Sequence, residues 1–252
     1  MPQWPRKGGD LVDSVNRADG HDRVGFRGFR TVERPSIEVV HRLAAYAPPD
    51  LSDTMHGAYT LDPKIRPLYP FPGRIAGPAV TVAVPRGAFN IIKFGMQQTR
   101  EGDVLVINAW GLDTFAVWGG NVSRGMKRRG VLGVIIDGAA RDPGEAEAIE
   151  FPVFARSQAT ATPPLEGPGE VNVPVACGNV VVHPGDIIVA DANGIVAVPP
   201  AASEWVLRQV ADLKQRHARI QPVLERGDIT NIDTITAALI KEGFMIDGRL
   251  GD

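Results

Sequence analysis

Residues 102–142 read GDVLVINAWGLDTFAVWGGNVSRGMKRRGVLGVIIDGAARD. Two short apolar runs, Val104–Ile107 and Val131–Ile136, flank a segment of helical character, Asn121–Arg129, that Gly130 closes. A glycine there suits the left-handed turn with which helices end. Strands written as continuous apolar runs, without polar alternation, are buried on both faces, as in parallel sheets covered by helices. Strand, helix and strand in this order form a βαβ unit. Asn108–Trp118 reads as the loop that leads into Gly119-Gly120.

Outward from that unit, Ala79–Val84 alternates as a strand and Ala88–Thr99 reads as a helix. Further upstream, Ile37–Ala47 gathers Val39, Val40, Leu43 and Ala44 on one helical face. Leu51–Gly57 resembles a capped helical turn, and 61–78, with five prolines, reads as loop. Residues 1–35 carry no sustained period and form an extended arm, loose or laid on a neighbouring subunit. Downstream come a helix, Pro143–Ile149, a strand, Val153–Arg156, and a turn-rich loop, 157–170. Strands at Val171–Ala176, Val180–His183, Ile187–Ala190 and Ile195–Val198 follow, separated by Gly178-Asn179, Pro184-Gly185-Asp186 and Asn193-Gly194. Helices Ala201–Arg226 and Asp233–Glu242 end the chain. The expected fold is a mixed α/β domain over 36–200, preceded by the arm and followed by a helical extension, 201–252, packed on the same domain or on a neighbour.

Composition narrows the function. With 252 residues and 44% hydrophobic content, the chain has the material for a sizeable core. A net charge of -2 offers no basic field for nucleic acid. No apolar run approaches membrane-spanning length, and the opening twenty residues carry charges and prolines where a signal peptide has its apolar centre. One cysteine, Cys177, excludes an internal disulfide and a cysteine-built zinc site, so a cytoplasmic location is expected.

The βαβ geometry brings two separated segments together. A crossover helix runs antiparallel to its strands, so its N-terminus lies at their carboxyl edge, where the second strand also ends. Gly119-Gly120-Asn121 and Arg141-Asp142 should therefore share one rim, at the edge where α/β sheets bind ligands. Asn121 and Val122 would offer unpaired N–H groups at the helix start, and the two glycines would admit a ligand closely. Arg141 supplies a planar fork for a carboxylate, and Asp142 a hard oxygen for Mg²⁺ or Mn²⁺. A carboxylate clamp beside such an ion is what a small 2-oxo acid requires. The same residues also admit a structural reading. Asp142-Pro143-Gly144-Glu145 has the form of a capping box, and Gly119-Gly120 that of a close helix–sheet contact.

Gly120, twenty residues, Arg141-Asp142, two residues and Glu145 together resemble the signature of the RraA-like family. The resemblance extends from about Asp53 to Pro199 and includes Gly77–Val82, Gly102–Val106, Arg129–Val131, Pro152–Arg156, Pro184–Asp186 and Val189–Ile195. It implies a swivelling β/β/α fold assembled as trimers or hexamers, with sites between subunits. It also implies class II pyruvate aldolase chemistry on 4-hydroxy-4-methyl-2-oxoglutarate or a related acid, or decarboxylation of oxaloacetate. By position, Arg141 would bind and steady the pyruvate moiety and Asp142 would ligate Mg²⁺ or Mn²⁺. Gly119, Gly120, Asn121 and Val122 would hold the substrate through their backbone. One departure concerns the C-terminal helix: where the aldolases carry a carboxylate that reaches a neighbouring subunit's site, this chain reads Leu213–Arg219, with His217 or Arg216 in its place. Two other readings remain open, a regulatory protein that docks on RNase E and a lyase or hydratase for another small acid.

Further candidates each have a plainer role beside the functional one. Asp53 is a pocket residue or a helix cap, and Asn90, which opens a helix, is expected to reach the pocket. Asp113 is a partner of the metal ligand or a loop carboxylate. Trp110 and Trp118 bracket the loop before Gly119 and either pack in the core, the expected role, or supply one aromatic wall for the substrate.

Overall fold

The computed structural model describes residues 25–246 and 249–250. The elements, in chain order, begin with β1 (Phe26–Gly28), α1 (Ile37–Ala44), α2 (Pro48–Thr54), β2 (Arg66–Pro67), β3 (Arg74–Ala83) and α3 (Phe89–Gln98). The βαβ unit follows as β4 (Val104–Trp118), α4 (Gly120–Arg128) and β5 (Gly133–Ala140). Next come α5 (Pro143–Ala148), β6 (Val153–Gln158), β7 (Gly169–Val171), β8 (Val175–Cys177), β9 (Val180–Val182), β10 (Ile187–Asp191) and β11 (Gly194–Val198). The chain closes with α6 (Ser203–Leu224), α7 (Ile232–Lys241) and a small hairpin, β12 (Met245–Ile246) and β13 (Arg249–Leu250). No helix among the described residues is long and apolar enough to cross a membrane.

The sheet runs in the order β1-β7-β3-β4-β5-β6-β2, with β10 and β11 attached beside β3. Its centre, β3 to β6, is parallel. Alternate residues of each central strand enter different cores. Val80, Val82, Leu105, Ile107, Val134 and Ile136 face the helices. Ala79, Ala83, Val104, Val106, Ile135 and Phe154 face the layer built from β8 to β11. Both faces are dry, which accounts for the continuous apolar runs. Each such Val, Leu or Ile contributes about 1.5–3 kcal/mol by burial. A third cluster holds Val40, Leu43 and Leu51 against Val189, Val196, Val206 and Val210. It fastens α1, α2 and the first half of α6 to β10 and β11.

The structure corrects the expected elements in four places. The helix expected at Ile37–Ala47 stops at Ala44, because Pro48-Pro49 opens α2 and the residue before a proline is turned out of helical geometry. The expected loop at 61–78 contains β2 and the first half of β3, and Arg74–Pro78 pairs antiparallel with β10 before Ala79–Ala83 turns to β4. The expected loop at Asn108–Trp118 stays extended along β5, interrupted by three register shifts. The expected strand at Val171–Ala176 breaks at Asn172, whose φ is 56°. Of the expected N-terminal arm, residues 1–24 lie outside the described residues, and Phe26–Gly28 pairs in parallel with β7 of its own chain.

Candidate active site

The rim expected from the βαβ geometry is present. β4 ends at Trp118, whose carbonyl accepts the Arg141 N–H at 3.0 Å, so the two strands finish side by side. Gly119 is the N-cap of α4, and the next N–H, that of Gly120, donates to Asp142 Oδ2 at 3.0 Å. The N–H groups of Asn121 and Val122 precede the first intrahelical bond, Ser123 N–H to Gly119 O, and have no partner among the described residues. Two glycines are needed here for space. A Cβ on Gly119 would stand 2.7 Å from Asp142 Oδ2 and 3.1 Å from Arg141 Cγ, and one on Gly120 would meet the Glu145 side chain.

Asp142 occupies the N-cap position of α5 without acting as its cap. Its backbone is left-handed, φ 58° and ψ 48°, and its carboxylate makes no bond to α5. Nor does Glu145 close a capping box, since its carboxylate pairs with Arg124 at 3.1 Å. The left-handed turn directs Asp142 across the rim to α4, a conformation that costs about 1–2 kcal/mol and that Asp tolerates better than most residues. Asp142 Oδ1 accepts no hydrogen bond from the described residues, while Oδ2 is shared between Gly120 N–H and Arg141 Nε, the latter at 3.5 Å.

Arg141 is oriented by the segment that follows β6. Its Nη1 donates to Thr160 O and to Thr162 Oγ1, both at 3.2 Å. Nη2 has no hydrogen-bond partner among the described residues. Around Arg141 and Asp142 lies a cavity of ≈ 200 Å³ that Gly119, Asn121, Val122 and Thr162 also line. A second cleft of ≈ 400 Å³ is lined by the same two residues together with Gln158 and Thr160. A larger hollow of ≈ 700 Å³ lies at the opposite edge of the sheet, near Gly102, Gly130 and Pro152. The starts of the strands form that edge, and the first residue of α1, Ile37, lines it as well.

The donor set fits one kind of metal site. Among the described residues no three His, Cys, Asp or Glu side chains converge, so a cage of protein ligands is excluded there. A single hard carboxylate oxygen, Asp142 Oδ1, accepts no hydrogen bond from the described residues, and its carboxylate lies beside the Arg141 guanidinium. That suits Mg²⁺, or Mn²⁺, with water in the remaining positions.

Not every candidate reaches the cavity. Asp53 lines a separate hollow of ≈ 110 Å³ with His56, Trp205 and Arg216, between α2 and α6. Asn90 is exposed at the start of α3 and does not line the cavity, although its neighbour Phe89 does. Asp113 is exposed on the irregular part of β4, and His217 lies on the outer half of α6, beyond its last buried residue, Val210. Trp118 packs in the core as expected, stacked on Phe151 with Nε1–H bonded to Ser123 Oγ at 2.8 Å. Trp110 instead is 60% exposed. Thr160 and Thr162 were not singled out in the sequence. The signal was available: β6 is parallel to β5, so the residues after β6 must reach the same rim.

A family model described as RraA-like, aldolase/RraA, matches residues 48–197, more than half of the chain. A protein of Halalkalibacterium halodurans provisionally named 4-hydroxy-4-methyl-2-oxoglutarate aldolase is 37% identical over 191 residues, 76% of this chain and 89% of that protein. The 4-hydroxy-4-methyl-2-oxoglutarate aldolase of Thermus thermophilus is 30% identical over 113 residues, 45% of this chain and 69% of that one. The crystal structure of Streptomyces coelicolor RraAS2, described as an unusual member of the RNase ES inhibitor RraA family, superposes with a TM-score of 0.67 at 24% identity. It covers 76% of this chain and 99% of its own, a likeness of fold.

Proposed function

The chain belongs to the RraA-like, aldolase/RraA family, and from that premise we propose that it is a carbon–carbon lyase that releases pyruvate from a 4-hydroxy-2-oxo acid. The observation that supports this most is the pairing of Gly120 N–H with Asp142 Oδ2. It gathers an unpartnered helix start, a free guanidinium edge and a carboxylate oxygen around one cavity.

The residues divide the work as follows. Arg141 Nη2 pairs with the substrate carboxylate, and the N–H groups of Asn121 and Val122 add donors for the anionic end. Thr160 and Thr162 hold the guanidinium in place. In retro-aldol cleavage the 4-hydroxyl proton passes to water, C4 leaves as a carbonyl compound, and the C3–C4 bond breaks. The electron pair stays on the pyruvate fragment as an enolate, and a proton added at C3 gives pyruvate. Arg141 and the helix N-terminus stabilise the negative charge that grows on that fragment. Oxaloacetate follows the same route, with CO₂ as the leaving group. Asp142 Oδ1 would hold Mg²⁺ or Mn²⁺. Bound there, the ion would supply Lewis-acid polarisation of the 2-oxo group.

A cytoplasmic location and assembly as a trimer or hexamer belong to the same reading. The first is supported by a single buried cysteine, the second by α7, which buries no side chain and exposes Ile232, Ile235 and Leu239. The test is a panel of 4-hydroxy-2-oxo acids and oxaloacetate assayed for pyruvate, with Mg²⁺, with Mn²⁺ and with EDTA. Pyruvate is expected with either ion and not with EDTA. No pyruvate from any acid would overturn the lyase reading and leave a binding role.

A further inference from the structure

We infer that Ser123 is a positioning residue for Asp142: its hydroxyl, aligned by the Trp118 indole, fixes the peptide between Gly119 and Gly120 so that the Gly120 N–H faces the carboxylate. The kinetic consequence rests on the lyase reading; the geometry does not. Ser123 is buried in the first turns of α4 and does not line the cavity. Its backbone N–H and its hydroxyl both donate to Gly119 O, at 3.1 and 3.0 Å. The Trp118 Nε1–H donates to the same hydroxyl oxygen at 2.8 Å. An indole N–H can only donate. The hydroxyl therefore accepts from the indole and turns its own proton to Gly119 O.

The Gly119 carbonyl and the Gly120 N–H belong to one peptide unit, planar and trans, so they point in opposite directions. Ser123 grips that unit at its oxygen, and Asp142 Oδ2 meets its N–H at 3.0 Å. With glycine on both sides, little steric resistance opposes rotation of the unit. Such a rotation would carry the N–H away from Asp142. The bond from the Ser123 N–H is common to any helix start. The hydroxyl bond and its indole anchor are particular to this one.

Trp118 is itself anchored. It is 1% exposed, and its ring stacks on Phe151 with 6.4 Å between centroids. Its carbonyl accepts the Arg141 N–H at 3.0 Å. One residue thus holds Arg141 through its backbone and the start of α4 through its side chain.

The test is Ser123→Ala in the full-length protein, followed by amide hydrogen exchange at Gly120 and by pyruvate release with Mn²⁺ present. Exchange at Gly120 should quicken by about ten-fold, while the amides of Val134 and Ile135 in the centre of β5 keep their rates. kcat/KM should fall by roughly 10- to 100-fold. Asp142→Gly keeps the left-handed backbone and removes the group through which Ser123 acts. On that background Ser123→Ala should cost less than about two-fold. Ser123→Ala also leaves the buried Trp118 N–H without a partner. Trp118→Phe/Ser123→Ala, compared with Trp118→Phe alone, therefore repeats both measurements with donor and acceptor removed together. Unchanged exchange at Gly120 in both alanine variants, or kinetic losses that multiply with that of Asp142→Gly, sinks this inference and leaves the lyase reading standing. Faster exchange at Gly120 in a protein that yields no pyruvate from any acid supports the hold on the peptide and sinks the lyase reading alone.

Discussion

The Gly120 N–H donates to Asp142 Oδ2 at 3.0 Å across 22 residues of sequence, so the carboxylate at the head of α5 caps α4 instead. A cap and a ligand make different demands on that side chain, and Asn separates them. Asp142→Asn keeps an oxygen for Gly120 N–H and tolerates the left-handed backbone, but it lacks the charge that a divalent ion needs. It should unfold within about 1 kcal/mol of the unaltered protein and lose at least about 100-fold in kcat/KM with either ion, a loss of ~2.7 kcal/mol in transition-state stabilisation. Denaturant midpoints and steady-state kinetics on the same preparation check both halves. Full activity in Asp142→Asn would reduce the residue to a helix cap.

Gly119 tests the close approach of the two segments. Its φ of -162° is extended backbone that any residue adopts, so alanine meets no conformational barrier there. What it meets is Asp142 Oδ2 at 2.7 Å and Arg141 Nε at 3.2 Å. Gly119→Ala should therefore fold, at a cost of about 1–3 kcal/mol for overpacking. It should lower kcat/KM by more than about ten-fold, because both side chains must shift. A variant with normal kinetics would show that their positions do not matter.

Much of this was legible in the sequence, for a reason visible in the strands. β3 to β6 are dry on both faces, so their apolar runs, and the βαβ unit they imply, stood out. The shared rim then followed from geometry alone. The first half of β3 was hidden because its partner β10 lies more than a hundred residues away and Pro78 interrupts the pattern. The long tail of β4 was hidden by its bulges, where Trp110 and Gly111 adopt positive φ. Asp53, Asn90, Asp113 and His217 had no such geometric argument behind them, and in one chain none of them lines the cavity. Thr162 lay in a segment read as loop, although the parallel pairing of β6 brings it to Arg141.

Thr162 should act on binding more than on chemistry. Its hydroxyl accepts one of the two hydrogen bonds that orient Arg141 Nη1, and Thr160 O accepts the other. Thr162→Val preserves shape and leaves one bond. Loss of a bond to a partly exposed charged group predicts a KM higher by roughly three- to ten-fold with kcat within about two-fold. A fall in kcat with KM unchanged would mean that Thr162 acts in the transition state instead.

Four residues before Arg141, Asp137 anchors the same strand through a buried network that has a pH signature. Asp137 accepts from Arg156 Nε and from Gly178 N–H at 2.7 Å, and Arg156 Nη1 also reaches Asp62 Oδ2 at 2.9 Å. Arg156 thus ties β5 and β6 to the turn that carries Asp62. Arg156→Met leaves Asp137, 7% exposed, with the Gly178 N–H but no cationic partner and should cost about 3–5 kcal/mol. Adding Asp137→Asn should recover part of that loss. The Lys64 N–H, and after it the Arg156 guanidinium, hold the Asp62 carboxyl below its ordinary value. A carboxyl whose pKa is lower in the folded state adds stability that is complete above the unfolded value, near 3.8. That stability is lost as pH falls through the depressed one. Asp62→Asn should therefore be less stable than the unaltered protein at pH 7, and the gap should close on acidification below about pH 4. Urea midpoints measured from neutral pH down to about pH 3 give the comparison. A gap that stays constant across that range would show that the ionisation of Asp62 does not support the strand that delivers Arg141.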